Sequence, residues 1–301
     1  MVAMKTKKIR LSTSDKVFYS IDYAVLGLLG LIVLLPLLHV VSSAFSDPHS
    51  VLAGRVLFWP RNFTFDTVVL ILKNPNVQIG YFNTFLYASV GTVINLIVTV
   101  CCAYPLSRQG FVGRNFFMFV FAFTMMFSGG MIPTFIIVRN LGLIDTRAVM
   151  LLPGAMAVWN MIMCRTFFQN TIPKEMYESA EMDGASHFRV VASIVLPLST
   201  PILAVLTLFY AVGHWNSYFD AMLYLRSQSL FNIQLILRNA INSIEALLTQ
   251  GDGMTVSEIS MAFAEASKYA MIVISMIPVL ILYPVIQRYF IKGIMIGAIK
   301  G

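Results

Sequence analysis

Two short stretches of this chain gather the side chains that could do chemistry. The first holds Tyr210, His214, Trp215, Asn216, Tyr218 and Asp220. Flat aromatic faces stack on the C–H faces of a sugar ring, and amide and carboxylate groups fix its hydroxyls, so this set suits carbohydrate binding. An aromatic belt at a membrane interface uses the same residue types, and both readings stay open at this level. The second stretch puts Lys174, Glu175, Glu178, Glu181 and Asp183 within ten residues, between two long uncharged runs. Charge this dense must face water or another protein. Neither stretch sets a nucleophile beside a base, and His39 and His214 stand outside any Cys/His cluster. No catalytic residue and no metal ligand is therefore expected.

The acidic stretch reads as a short helix. Pro173 suits a first helical turn, and Glu175 and Glu178 favour the positive end of the helix dipole. Glu175, Glu178 and Glu181 are three apart and share a face, flanked by Met176 and Ala180. Gly184 then stops the helix.

What holds these stretches in place is a very apolar chain. Of its 301 residues 58% are hydrophobic and 12% charged, with a mean hydropathy of +0.78; soluble domains carry about a quarter charged residues. The net charge of +7 is not gathered into a basic patch interleaved with aromatics, so no nucleic-acid partner is expected. Six runs of at least 17 residues contain no Asp, Glu, Lys or Arg: 23–46, 74–107, 115–138, 148–164, 190–219 and 269–287. A membrane-spanning helix needs about 20 mainly apolar residues. The expected fold class is thus an all-α integral membrane protein with six transmembrane helices, both termini on one side. Thirteen Lys and Arg flank the spans on the side of the termini and the acidic loop, against eight on the other, which makes that side cytoplasmic.

Residues 1–22 are expected to form a cytoplasmic basic arm at the lipid surface, 23–291 the transmembrane domain, and 292–301 a cytoplasmic tail rich in glycine. The first apolar run is too long for a signal-peptide core and is expected to remain as an anchor. Cys101, Cys102 and Cys164 fall inside spans and behave as small apolar residues. His39, in the first span, marks either a polar pathway or the outer interface. Ser128, Gly129, Gly130 and Pro133 predict either a break in the third span or a tight helix crossing. In the fourth span lie Trp159 and Asn160, whose amide needs a partner on another helix or a solvated cavity. Pro197 and Pro201 should bend the fifth. The longest outer connection, 220–267, carries a helical stripe through Ile233, Leu237, Ile241 and Ile244.

The order Glu178, Ala180, Gly184, Ile194, Leu196, Pro197 resembles the EAA loop of ABC importer permeases. The family pattern is Glu-Ala-Ala, three residues, Gly, nine residues, Ile, one residue, Leu-Pro, and Ser179 stands here for the first alanine. Phe127 to Pro133 and Phe209 to Asn216 look like the carbohydrate branch that imports complex oligosaccharides, such as aldouronates. The tail from Gly293 to Gly301 resembles that of maltose-type permeases. The resemblance implies a type I ABC importer permease fold in a bacterial cytoplasmic membrane, forming half of a translocation pathway by alternating access. It implies a coupling loop at 173–197 that meets an ATPase through Glu178, Ser179, Ala180, Asp183 and Gly184. It also implies a tail, with Gly297, Lys300 and Gly301, at the ATPase interface, and a glycan path past Trp159, Asn160, Tyr210, Trp215 and Asn216. The implied partners are a second permease, two ATPase subunits, an extracytoplasmic solute-binding protein, an oligosaccharide and membrane lipid. The chain has no Gly-x4-Gly-Lys-Ser/Thr loop, so ATP and Mg are expected on the partner subunits and no cofactor on this chain. A secondary transporter is the other class; it needs an intramembrane acid or base as ion relay, and the six runs contain none.

Overall fold

The structure, a computed structural model, describes residues 12–249 and 258–298, and the described residues are mainly helical without strands. In chain order the helices are α1 (Thr13–Ala44), α2 (Pro48–Leu52), α3 (Asp66–Leu72), α4 (Pro75–Ser107), α5 (Arg114–Met126), α6 (Met131–Asn140), α7 (Val158–Thr171), α8 (Lys174–Met182), α9 (His187–Val190), α10 (Leu196–Leu198), α11 (Thr200–Trp215), α12 (Tyr218–Tyr224), α13 (Ile233–Thr249) and α14 (Glu258–Ala298). Three stretches, α1, α4 and Ser260–Ile281 within α14, are each long and apolar enough to cross a membrane, and two bent pairs bring the number to as many as five.

The chain divides into two compact units. One takes the described residues up to Val69 together with 247–249 and 258–273. α1 begins at Thr13, so the second half of the expected basic arm is helix continuous with the first span; the backbone N–H of Ser12 donates to the Asp15 carboxylate at 3.0 Å and closes its N-terminus. His39 is partnered within this unit: its Nδ1 lies 3.0 Å from the Leu57 carbonyl and its ring meets Tyr269 edge-on.

The other unit takes 70–246 and the described residues from Ile274. Its spine is α4, about 50 Å long at 1.5 Å per residue. A polar stripe, Asn83, Thr84, Tyr87, Thr92, Asn95 and Thr99, runs along α4 and is buried against its neighbours. At one end Asn83 donates to the Ser229 and Phe231 carbonyls, Tyr87 to the Leu230 carbonyl, and Thr84 Oγ1 accepts the Ile233 N–H, which seats the start of α13 on α4. Ile233 and Ile244 of the expected α13 stripe are buried, with Leu237 and Ile241 half-buried between them.

The breaks fall largely where glycine and proline predicted them. α5 and α6 meet at 114° across Phe127–Gly130, with Gly130 at φ +84°, so the third run is a break rather than a straight crossing. A π-helical turn, Val191–Val195, leads into α10, and the chain bends by 85° at Ser199 before Pro201 takes the first turn of α11.

The fourth run departs from expectation. Residues 148–164 do not form one helix: a 3-10 turn at Arg147–Met150 gives way to non-helical backbone through Pro153 and Gly154, and α7 starts only at Val158. With 14 residues α7 is about 21 Å long, short of the ~30 Å hydrocarbon core. The irregular backbone is satisfied by side chains from other helices: Asn95 donates to the Gly154 carbonyl at 2.7 Å, and the Ala157 N–H donates to Tyr210 Oη at 3.3 Å. Leu152, Pro153 and Gly154 are themselves exposed, so these hydrogen bonds, and not burial, hold the irregular stretch.

A loop beside residues 229–231, at the Asn83 end of α4, is pinned by one carboxylate. Asp145, at φ +58°, accepts from the Arg226 N–H at 2.9 Å, the Ser227 N–H at 2.8 Å and Ser227 Oγ at 2.5 Å. The Ser227 bonds, then the Arg226 amide, hold its carboxyl below the usual carboxylate range. A depressed folded-state pKa contributes stability above the unfolded value near 3.8, which is lost as pH falls through the lower folded value. Hydrogen-exchange protection at Arg226 and Ser227 is therefore expected to fall on acidification below that range. In Asp145→Asn, which tolerates the same φ, protection is expected to be lower throughout and without this acid step. Equal protection in both proteins at all pH values would contradict the pinning role.

Candidate functional site

α8 is two turns of helix with one inward edge. Tyr177 and Ala180, three apart, are buried and extend the core formed by Val100, Tyr104, Phe168 and Ile172. Glu178, Ser179, Met182 and Asp183 lie on the exposed side. The helix ends as its composition predicts: Gly184 takes φ +68°, its N–H donates to the Glu181 carbonyl at 3.1 Å, and the Ala185 N–H donates to the Ala180 carbonyl at 2.9 Å. This is a Schellman motif, and an L-residue in place of Gly184 would cost roughly 1–2 kcal/mol.

Reading the sequence alone missed what anchors α8. Arg108, just past the end of α4, bonds Glu181 at 2.7 Å through Nη2, and its guanidinium carbon lies 3.8 Å above the centroid of the Tyr177 ring. An exposed ion pair contributes about 0.2–1 kcal/mol and an exposed cation–π contact about 0.5–1 kcal/mol, so the two together hold α8 more firmly than either does alone. Lys174 Nζ donates to Gln109 Oε1 at 3.0 Å, and Arg165 Nε donates to the Leu106 carbonyl at 2.9 Å, tying α7 and α8 to the end of α4. Burial pushes the Tyr177 hydroxyl up, against the opposing pull of Arg108. A cleft of about 850 Å³ opens beside α8, lined by Tyr104, Arg108, Glu181, His187 and Phe188 among others. Its lining is apolar as well as charged, with Phe188 87% exposed, and Met182 at the end of α8 is 90% exposed.

Of the sequence-predicted coupling residues, Glu178, Ser179, Asp183 and Gly184 share the exposed surface of this helix and its cap, while Ala180 faces the protein's own core at 7% exposure. Its small side chain lets α8 approach the end of α4. In the tail, Gly297 lies in the last turn of α14, and Lys300 and Gly301 fall outside the described residues.

The five residues assigned to a glycan path separate. Tyr210, Trp215 and Asn160 are buried, whereas Trp159 and Asn216 are exposed. Tyr210 Oη lies 2.6 Å from Thr99 Oγ1 and also accepts the Ala157 N–H, and Trp215 Nε1 donates to the Ser275 carbonyl at 3.1 Å. Tyr210 and Trp215 therefore serve as packing and hydrogen-bonding struts. His214 belongs with them: its Nε2 lies 2.7 Å from Asn95 Oδ1, and Gly91 abuts its ring. The signal for this network was present as polar residues three or four apart within the uncharged run 74–107, a stripe that demands partners on neighbouring helices.

Among known proteins, the family described as "Binding-protein-dependent transport system inner membrane component" matches residues 79–296. Over 287 residues the chain is 37% identical to the polygalacturonan/rhamnogalacturonan transport system permease protein YtcP of Bacillus subtilis (strain 168), covering 95% of this chain and 99% of that protein. It is 36% identical over 288 residues to protein LplC of the same organism, covering 96% of each. Among solved structures it is similar to a chain of a bacterial ABC transporter involved in the import of the acidic polysaccharide alginate. The TM-score there is 0.83 at 36% identity, covering 94% of this chain and 100% of that one.

Proposed function

Because the chain belongs to the family of binding-protein-dependent transport system inner membrane components, we propose that it forms half of the translocation pathway of an ATP-driven importer for oligosaccharides or polysaccharide-derived glycans. In this reading the six apolar runs all contribute to the transmembrane part, both termini are cytoplasmic, and the partners are a second permease, two ATPase subunits and an external solute-binding protein. ATP and Mg bind the ATPase subunits, and this chain binds no cofactor. The glycan class follows the substrates named for two of the relatives, polygalacturonan/rhamnogalacturonan and alginate.

The observation that carries the reading is the form of α8. It is a short helix fixed from behind by Tyr177, Ala180 and Arg108, with an outward face that combines Glu178 and Asp183 with the protruding Met182. A rigid, charged knob with an apolar tip suits insertion into a cleft on a second protein, where apolar contact supplies affinity and charge supplies register. Closure of the ATPase dimer on ATP moves α8. Movement of α8 reaches α11 through the π-helical turn and the bend at Ser199, and the pathway opens alternately to the two sides.

Cross-linking tests the docking. With Cys101, Cys102 and Cys164 replaced, Met182→Cys is expected to cross-link to the ATPase subunit in the assembled transporter, and Trp159→Cys is expected not to. Cross-linking at neither position, in a complex that still contains the ATPase, would refute docking through α8.

A further inference from the structure

A second cleft, of about 460 Å³, opens on another side of α8, between the end of α4, the start of α5 and the end of α7. Its walls carry four cations, Arg108, Arg114, Arg165 and Lys174, against a single carboxylate, Glu178. Glu181 answers Arg108. Among the described residues, Arg114, Arg165 and Lys174 have no carboxylate within ion-pair distance. Two helix N-termini border the same cleft, α5 at Arg114 and α8 at Lys174, and neither has a side chain capping its free N–H groups. Each such end carries partial positive charge. Tyr177 also lines the cleft, and its buried hydroxyl has no hydrogen-bond partner among the described residues.

Unpaired cations and two positive helix ends held together repel one another unless an anion lies among them. Cations lining the cleft from α5, α7 and α8 suit a tetrahedral phosphate, whose three free oxygens can accept from more directions and carry more charge than a planar carboxylate's two. We infer that this cleft binds a phosphate group, carried on an anionic phospholipid or free in solution, and that the bound phosphate braces α8 from beneath. The lipid source is favoured by Phe116 and Phe117, which follow Arg114 at the start of α5 and are 65% and 45% exposed, offering apolar surface to an acyl chain beside the headgroup. The inference rests on the coupling reading above, which sets this cleft at the cytoplasmic membrane surface, where anionic headgroups attract clustered Lys and Arg.

The test uses the whole transporter in nanodiscs of phosphatidylcholine alone or with phosphatidylglycerol, comparing wild type with Arg114→Gln/Lys174→Gln. This variant leaves in place Arg108 and Arg165, which hold α8 and the Leu106 carbonyl, but gives up the Lys174–Gln109 bond, so the readout is the response to lipid and not the level of activity. Native mass spectrometry of the wild type is expected to show retained phosphatidylglycerol, and loss of two basic residues is expected to lower retention roughly 30-fold. ATPase activity stimulated by the solute-binding protein is expected to rise with phosphatidylglycerol in the wild type and to ignore it in the variant. If inorganic phosphate raises the wild type in phosphatidylcholine to the same level, the ligand is the free anion, and the phosphate site stands. Equal retention in both proteins with no response to lipid or phosphate would overturn the inference. A variant defect in ATPase affinity that is identical in every lipid would also overturn it, by showing that the cleft receives an acidic group of the ATPase. In both of those results the assembled wild-type complex leaves the coupling reading standing, whereas a wild type that fails to assemble with the ATPase in any lipid refutes that reading instead.

Discussion

Gly91→Leu is expected to lower the thermal midpoint of the purified protein by on the order of 5–15 °C, the largest stability effect of any single substitution argued from this structure. Even a Cβ at this position would meet the Nε2, Cε1 and Cδ2 atoms of the His214 ring closer than side chains normally approach. The ring is not a free end that can swing away, because its Nε2 is bonded to Asn95, which in turn holds the Gly154 carbonyl. Overpacking costs about 1–3 kcal/mol, and displacing the imidazole breaks a part-buried hydrogen bond worth roughly another 0.5–1.5 kcal/mol. Gly91→Ala should show a smaller fall in the same direction, and His214→Ala should relieve the clash in the double variant. A Gly91→Leu protein as stable as wild type would mean that α4 and α11 do not pack as described.

Glu178→Arg is expected to abolish stimulation of the ATPase by the solute-binding protein while leaving the fold intact. Glu178 is exposed on α8, lines both clefts beside it, and makes no ion pair among the described residues. Its charge therefore does little for this chain alone and is available to a partner. Breaking a buried charge pair across an interface costs roughly 2–5 kcal/mol, a loss on the order of 100-fold in affinity, and a reversed charge adds repulsion. Glu178→Gln should fall between. Normal stimulation in Glu178→Arg would remove this residue from the coupling contact and leave Asp183 and Met182 to account for it.

What the sequence made legible was local. Gly184 ended α8 because only a residue at ease at positive φ can close that motif, and Gly130 with Pro133 announced the α5–α6 break for the same kind of reason. The α13 stripe was readable because one face of a helix repeats every three or four residues. Long-range satisfaction was not readable. The run 148–164 has the composition of a span, yet its backbone leaves the helix because Asn95 and Tyr210, distant in sequence, supply the hydrogen bonds that a helix would otherwise make. For the same reason Tyr210 and Trp215 resembled an open sugar platform, when their polar atoms are already committed within the protein. Ala180, expected with the coupling residues, is buried in the core beside Tyr104 and Tyr177, which its sequence neighbours do not announce. Arg108 carried no local signature, since its value lies in reaching Tyr177 and Glu181, which follow it by some seventy residues.

The most direct measurement of the central claim is uptake of defined oligosaccharides into proteoliposomes that hold this chain with its partner permease, the ATPase subunits and the solute-binding protein, run with and without ATP and with wild type and Glu178→Arg. The account predicts glycan accumulation that requires ATP and the ATPase subunits and disappears in the variant. Accumulation that persists without the ATPase, driven by an ion gradient alone, would contradict it.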